Sequence, residues 1–183
     1  ADGSAEVQVL LRPVPGNPIT PWMTSCSPDG RDVLFSNNDP VTGSDLWILP
    51  LEGDRTPRPV LRSPAAEYAG KFSPDGKWIA YAATDVDRPE VYVRPTTGAG
   101  QVEVSHGGGN PPMWSLDGNE LFYLSGEDMI AVPMRVEGSR IKPGKPRVLF
   151  RSPSLDFFEV TREGFLMMRH VDAPLPREIN VVL

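Results

Sequence analysis

Ser73-Pro74-Asp75-Gly76 is the stretch that decides the fold, because the chain repeats it. The same four residues occur 46 positions earlier, at 27–30, and the variant Ser-Leu-Asp-Gly occurs 42 positions later, at 115–118. A more divergent copy, Thr-Arg-Glu-Gly, follows at 161–164. A period of this length is typical of proteins built from repeated structural units.

Each tetrad is predicted to form a tight turn between two strands. Proline presets φ at the first central position, aspartate bonds to nearby backbone, and glycine adopts a positive φ without steric cost. Apolar runs such as Ile79-Ala80-Tyr81 follow each tetrad and indicate strands. Structural turn roles are therefore assigned to Asp29, Gly30, Asp75, Gly76, Asp117 and Gly118.

The segments around the tetrads divide the chain into four similar units. A complete unit is predicted to have four short strands, A to D, with the tetrad between A and B. Proline at 50, 95 and 133 is predicted to end the C strands, because it removes a ladder donor. The units are expected at about 21–62, 67–105, 111–151 and 156–183, the last ending after its C strand, with a D-like strand at 6–12.

Four-stranded antiparallel units of this length are the blades of β-propellers. No segment has a sustained helical period, so an all-β chain with essentially no helix is expected. A β-sandwich is the alternative, but its strands do not repeat one tetrad at fixed phase. Residues 1–183 are therefore predicted to be a single propeller domain or fragment of about four blades. The blades either close a small ring or form half of a larger one.

Closure of the ring would join the two ends of the chain. The D-like strand at 6–12 is predicted to pair beside the last strand at 179–183, because an open sheet edge exposes unpaired backbone groups. Such pairing occurs either within one chain or between two copies. A homodimer that completes a larger ring is therefore one of the expected partners.

Bulk composition excludes several classes of function. The 183 residues are 39% hydrophobic and 23% charged, as in globular proteins, and no apolar run reaches transmembrane length. The net charge of −6 argues against nucleic acid and anionic membranes as partners. Cys26 is the single cysteine, so neither an internal disulfide nor a cysteine-based metal site is expected.

The repeat S-P-D-G-[RK]-x-[IVL]-[AL]-[FY], followed by D-L-W-[IV]-x-P or E-V-Y-V-R-P, resembles the Pro-Asp variety of WD-like repeat. This is the repeat of the TolB propeller and of the propellers in tricorn and prolyl-oligopeptidase-type proteases. Segments 90–95, 106–111, 120–124 and 179–183 are most similar to the C-terminal propellers of bacterial serine/threonine kinases and related large bacterial proteins. The resemblance covers about residues 5–183 and implies an extracytoplasmic or periplasmic location. It is specific for fold, because the repeat is a scaffold for many functions.

Residues that could carry out catalysis are few. His106 and His170 are the two histidines, and neither lies near a G-x-S-x-G nucleophile motif. The glycines at 107–109 precede Pro111-Pro112, which prevents the helix N-terminus that a phosphate loop needs. The Asp residues of the tetrads are explained by turn capping without a metal. We therefore assign no catalytic, cofactor or metal site and predict that the chain is not an enzyme.

Tryptophan and tyrosine recur at corresponding strand positions. Aromatic side chains at such positions are expected to pack between blades rather than to form an exposed stacking platform. The residues concerned are Trp22, Trp47, Trp78, Trp114, Tyr81, Tyr92 and Tyr123.

The B–C loops are rich in acids and are expected to share one face with the D–A loops. Seven acids are opposed there by one base, Arg88, and like charges steer cations or basic surfaces towards such a face. A solvated rim that keeps the protein soluble is the alternative. The candidate partner-binding residues are Asp39, Asp45, Asp85, Asp87, Glu90, Glu127 and Asp128.

The sequence thus favours a non-catalytic β-propeller scaffold for protein or ligand binding or sensing, as part of a larger bacterial protein. The alternative is an accessory propeller that gates the catalytic domain of a prolyl-oligopeptidase-like hydrolase. The expected partner is a basic protein or peptide segment, or a divalent cation such as calcium held between loops. The ligand itself is not identified by the sequence.

Overall fold

The computed structural model describes residues 9–10, 21–84, 87–153, 155–169 and 179–182. Regular structure within these ranges is entirely β, as predicted, and includes no helix that could cross a membrane. The strands form four antiparallel sheets that follow one another along the chain.

The first two sheets each have four strands in chain order. The first sheet contains β1 (Trp22–Cys26), β2 (Asp32–Asp39), β3 (Gly43–Pro50) and β4 (Arg58–Leu61). The second sheet contains β5 (Ala66–Phe72), β6 (Trp78–Thr84), β7 (Glu90–Pro95) and β8 (Val102–Glu103).

The third sheet has one strand more than predicted, and the fourth has three strands among the described residues. The third sheet contains β9 (Met113–Trp114), β10 (Glu120–Ser125), β11 (Asp128–Glu137), β12 (Arg140–Pro143) and β13 (Arg147–Arg151). The fourth sheet contains β14 (Leu155–Thr161), β15 (Gly164–Arg169) and β16 (Ile179–Val182).

The tetrads form the predicted turns. The amide of Gly76, at a φ of +70°, donates to the carbonyl oxygen of Ser73 over 2.9 Å. The Ser73 hydroxyl donates to Asp75 Oδ1 over 2.6 Å and accepts from the amide of Trp78 over 3.0 Å. The same bonds recur at 27–32 and 115–120. The fourth copy differs, because Thr161 and Gly164 pair directly across a two-residue turn.

Pro133 does not end its strand, contrary to the prediction. It pairs with Glu120 at the end of the β10–β11 ladder, but β11 continues to Glu137 and there pairs with β12. The Pro133 carbonyl still accepts from the amide of Gly144 over 2.7 Å. Proline removes only a donor, so the strand continues where the next residues find another partner. The segment after Pro133 is therefore a second hairpin, formed by β11 and β12.

Hydrophobic side chains pack between successive sheets. Leu34 and Leu46 of the first sheet pack against Phe72 and Tyr81 of the second. Equivalent clusters join the second sheet to the third and the third to the fourth. This succession of packed four-stranded sheets is the arrangement of propeller blades. The described residues do not close the ring.

The prediction that the aromatic residues pack between blades holds for most of them. Trp78, Trp114, Tyr81 and Tyr123 are buried, whereas Trp47 and Tyr92 are half-buried. The prediction is wrong for Trp22, which is 74% exposed. It is the first residue of an edge strand, so its ring has sheet on one side only.

The outer face of the fourth sheet is apolar and exposed. Phe157, Leu166 and Met168, opposite the face that packs on the third sheet, are 43%, 36% and 38% exposed. Most of the predicted closing strand at 6–12 lies outside the described residues. Val9 and Leu10 are described there, and both are exposed and outside any strand. Pairing of this segment with 179–183 therefore stays a prediction.

Candidate functional site

Antiparallel order places the loops and the tetrads at opposite ends of the sheets. The end of the sheets that holds the β2–β3, β6–β7 and β10–β11 connections and the links between sheets is called the loop end. The turn end holds the tetrads and the β3–β4 turn. Six of the seven candidate acids are among the described residues, and these six lie in or beside the connections of the loop end and differ greatly in exposure and partners.

Asp39 and Asp45 are held by one arginine of the next strand. Arg62 approaches Asp39 Oδ2 at 2.6 Å and Asp45 Oδ2 at 3.6 Å. The Val41 and Thr42 amides and then Arg62 lower the pKa of Asp39, although burial opposes them. Asp45 is completely buried, so its assignment to an exposed partner-binding face is wrong.

Glu90 organises the link between the second and third sheets. Its Oε1 accepts from the amides of Gly107 and Gly108, each over 2.7 Å, and its Oε2 accepts from the hydroxyl of Ser105. Arg88 donates to the carbonyl oxygen of Gly107 over 3.2 Å. The glycine run therefore binds this chain's own carboxylate within the link between the two sheets.

Three further acids remain accessible at the loop end. Arg151 lies 3.0 Å from Glu127 and 3.8 Å from Asp128, and these acidic side chains are 48% and 41% exposed. Asp87 is exposed, and no ion pair to it occurs among the described residues. Asp85 lies outside the described residues.

The expectation of one base against seven acids is wrong. Arg62 and Arg151 also oppose these acids, and they come from the ends of D strands rather than from the B–C loops. The signal was present in the sequence, because Leu61-Arg62-Ser63-Pro64 and Phe150-Arg151-Ser152-Pro153 repeat at the same phase. After this pairing the exposed negative charge is smaller than the loop composition indicated.

The described histidine lies in an exposed pair. His106 is 78% exposed, and its Nδ1 lies 3.0 Å from Glu103 Oε1. His170 lies outside the described residues. Within the ranges that the structure describes, no group of three or more His, Cys, Asp and Glu side chains is placed to hold a metal ion.

A cavity of about 450 Å³ lies where the first strands of all four sheets meet. Ser25 of β1, Lys71 of β5, Trp114 of β9 and Glu159 of β14 are among its lining residues. A cavity shared by the first strands of all blades is expected at the axis of a propeller. Its concave shape makes it a second candidate ligand site beside the acids of the loop end.

Sequence reasoning missed one buried acid, Glu67. It is 1% exposed, its Oε1 accepts from the Ser63 hydroxyl, and its Oε2 has no hydrogen-bond partner. Burial raises the pKa of Glu67 to about 7, and the negative charge of Asp45 adds to the rise. The Ser63 hydrogen bond and the positive charge of Arg94 oppose it. A buried carboxyl with a strongly displaced pKa is a marker of functional sites.

No protein-family model matches the chain, and no curated protein matches it. Solved structures do match. TolB from Acinetobacter baumannii is similar over 89% of this chain and 40% of its own, with a TM-score of 0.65 and 16% identity. A puromycin-hydrolysing peptidase from Mycobacterium tuberculosis is similar over 85% of this chain and 29% of its own, with a TM-score of 0.64 and 18% identity.

A third similar structure is the periplasmic gluconolactonase PpgL from Pseudomonas aeruginosa. The match covers 86% of this chain and 55% of the lactonase, with a TM-score of 0.52 and 16% identity. The chain thus spans between 29% and 55% of the lengths of these three proteins. It has the TolB-like β-propeller fold that the repeat predicted. That fold occurs in enzymes as well as in TolB, so it does not decide enzymatic status. The narrower resemblance to kinase propellers stays a prediction.

Proposed function

We propose that this chain is a non-catalytic part of a TolB-like propeller and binds a basic protein or peptide at its loop end. The observation that carries the proposal is the acid that stays accessible at this end: Asp87, which has no ion pair among the described residues, and Glu127 and Asp128, which share the single base Arg151. Asp39 and Glu90 are engaged in holding loops, and Asp45 is buried. Three exposed acids on neighbouring sheets would attract a basic surface before contact.

The test uses a fluorescent lysine-rich peptide and measures its anisotropy on titration with the protein. The double variant Asp87→Lys/Glu127→Lys should weaken binding about tenfold, since exposed ion pairs contribute about 0.2–1 kcal/mol each. Binding to the wild type should weaken with salt, because the Debye length is only about 8 Å at physiological ionic strength. The matched control is Glu52→Lys, which changes an exposed acid of the β3–β4 turn at the turn end.

Equal binding by the double variant and the wild type would show that the acids of the loop end do not bind the peptide and serve only to keep the protein soluble. Equal losses in the double variant and in Glu52→Lys would indicate an effect of net charge alone. Either result would overturn the proposed surface.

The second candidate function is that of an accessory propeller beside the catalytic domain of a hydrolase. Similarity to the puromycin-hydrolysing peptidase, of which the chain covers 29%, supports this alternative. We also propose an extracytoplasmic or periplasmic location, which is supported by the likeness to TolB and to a periplasmic lactonase. The sequence of the neighbouring domains in the parent gene would distinguish the two functions.

We further propose that a second copy of this chain covers the apolar face of the fourth sheet. The chain spans 40% of one TolB and 56% of another, so two copies have about enough sheets for one ring. A dimer should form in analytical ultracentrifugation and should dissociate in the variant Leu166→Lys. A wild type that stays monomeric at high concentration would refute the dimer.

A further inference from the structure

A cavity of about 390 Å³ lies between the first and second sheets. It is distinct from the cavity at the axis, and Asp87, Glu127 and Asp128 are not among its lining residues. The link between β4 and β5, which includes Ser63, forms one wall at the loop end. Glu67, Tyr81 and Tyr92 of the second sheet also line it. A concave cavity lined by aromatic and aliphatic side chains together with a few convergent polar groups is typical of a site for a small organic group.

Glu67 is the polar group in this cavity whose bonding is incomplete. The Ser63 hydroxyl satisfies Oε1, but Oε2 has no partner in the part of the chain that the structure describes. A buried carboxylate oxygen without a partner costs free energy that a ligand able to bond with it would recover. Glu67 lines the cavity, so a ligand seated there would lie beside its side chain.

The charged groups around Glu67 leave it without a close counter-ion. Asp45 lies on the neighbouring sheet and repels it, and Arg62, which pairs with Asp45 at 3.6 Å, is bonded to Asp39 at 2.6 Å. Arg94 attracts Glu67 through space but forms no ion pair with it; its Nη2 donates to the carbonyl oxygen of Gly98 over 3.2 Å, and its buried Nε has no hydrogen-bond partner among the described residues. The Tyr81 hydroxyl donates to Gln101 over 2.6 Å and is therefore already used.

The lining aromatic rings indicate what kind of cation fits. Tyr81 is buried and Tyr92 half-buried; their rings stack with centroids 5.7 Å apart, and both residues line the same cavity as Glu67. Aromatic faces together with a carboxylate bind ammonium and guanidinium groups through cation–π and charge-assisted contacts. A calcium ion would require six or more oxygen ligands. The described residues do not gather three candidate metal-binding side chains anywhere.

We propose that this cavity binds an alkylammonium or alkylguanidinium group, with Glu67 as its counter-ion and Tyr81 and Tyr92 as its aromatic wall. The group would come either from a free small amine or from a lysine or arginine side chain of a protein partner. The site is separate from Asp87, Glu127 and Asp128, and a free amine can be tested alone. The proposal therefore stands or falls independently of the proposed function.

The experiment is isothermal titration of the full chain with n-butylammonium and n-butylguanidinium, with N-butylacetamide as a neutral probe of similar shape. Both cations should bind with one saturable site, and the neutral probe should not. Affinity should fall roughly 100-fold from pH 8 to pH 5, because a carboxyl with a pKa of about 7 is about 1% ionised at pH 5. The probes stay charged throughout, since alkylammonium groups titrate near pH 10.

Glu67→Gln keeps the shape of the side chain and removes its charge, so cation binding and its pH dependence should both disappear. The control Glu163→Gln changes an exposed acid of the fourth turn and should bind as the wild type does. A peptide with one central lysine, compared with its norleucine analogue, distinguishes a protein source of the cation from a free amine. Binding of the neutral probe as tight as that of the cations would overturn the proposal. A pH-independent wild-type affinity would do so without reliance on any variant.

Discussion

Replacing Glu67 by glutamine should stabilise the protein at alkaline pH and leave its stability at acidic pH nearly unchanged. A carboxyl whose pKa is raised on folding favours the protonated, folded state. The free energy of unfolding therefore falls as the pH rises from 4.5 to about 7, and the loss is complete above pH 7. Each pKa unit corresponds to about 1.4 kcal/mol, so ionised Glu67 destabilises the fold by about 3 kcal/mol at pH 8. Glutamine has the same shape and does not ionise.

The measurement is urea unfolding, followed by tryptophan fluorescence, at intervals from pH 4 to pH 9. The quantity compared is the free energy of unfolding of Glu67→Gln minus that of the wild type. It should rise by about 3 kcal/mol across this range. Other titrating groups are shared by the two proteins and largely cancel in the difference.

Two further variants sharpen this experiment. Glu163→Gln, at an exposed turn, should give a difference that does not vary with pH. Asp45→Asn removes a negative charge that raises the pKa of Glu67, so the pH dependence should move to lower pH. A constant difference between Glu67→Gln and the wild type from pH 4 to pH 9 would refute the assignment of an ionisable, poorly compensated Glu67.

Three other predictions concern the packing of the sheets. Gly70→Ala should destabilise the fold by about 1–3 kcal/mol in urea unfolding, because its β-carbon would lie 2.7 Å from Leu34 Cδ2 in a packed interface; an unchanged midpoint would contradict this. Ser73→Ala should destabilise the fold by about 1–3 kcal/mol in the same assay, because the buried amide of Trp78 loses the hydroxyl oxygen to which it donates; an unchanged free energy of unfolding would count against the turn network. Deletion of residues 1–12 should lower the melting temperature if this segment closes the ring, and an unchanged value would disprove closure.

The repeat made the fold predictable because its turn chemistry is local. Proline, aspartate and glycine specify the turn within four residues, and the strands follow from the apolar runs beside it. The β11–β12 hairpin was missed because the effect of proline depends on the surrounding ladder. The amide of Met134, directly after Pro133, donates to the carbonyl oxygen of Asn119 over 2.7 Å, so the strand is held beyond the proline.

The site was less predictable because charge pairing and burial depend on contacts between units. Arg62 and Arg151 reach acids on neighbouring strands, and a count of loop residues cannot include them. The burial of Glu67 follows from a bulge in β5. Its register with β6 shifts between Tyr68 and Lys71, and Ala69 there has a φ of +52°. Side chains of a regular strand alternate between its two faces, so the burial of Phe72 and Gly70 would predict that Tyr68 is also buried. The extra residue of the bulge shifts this alternation by one position, and Glu67 is buried instead.

The contrast between Glu90 and Glu67 shows why the second is the better candidate for binding. Both follow a connection at the loop end, and each accepts from a serine hydroxyl. Glu90 also receives two backbone amides, so both of its oxygens are used to hold a loop. Glu67 is more deeply buried, lines a cavity and has one oxygen without a partner. Buried polar groups in proteins are nearly always satisfied, so an unsatisfied carboxylate in the wall of a cavity requires an explanation that lies outside the fold itself. A bound cation supplies one, and it predicts that butylammonium at pH 8 raises the melting temperature of the wild type and leaves that of Glu67→Gln unchanged.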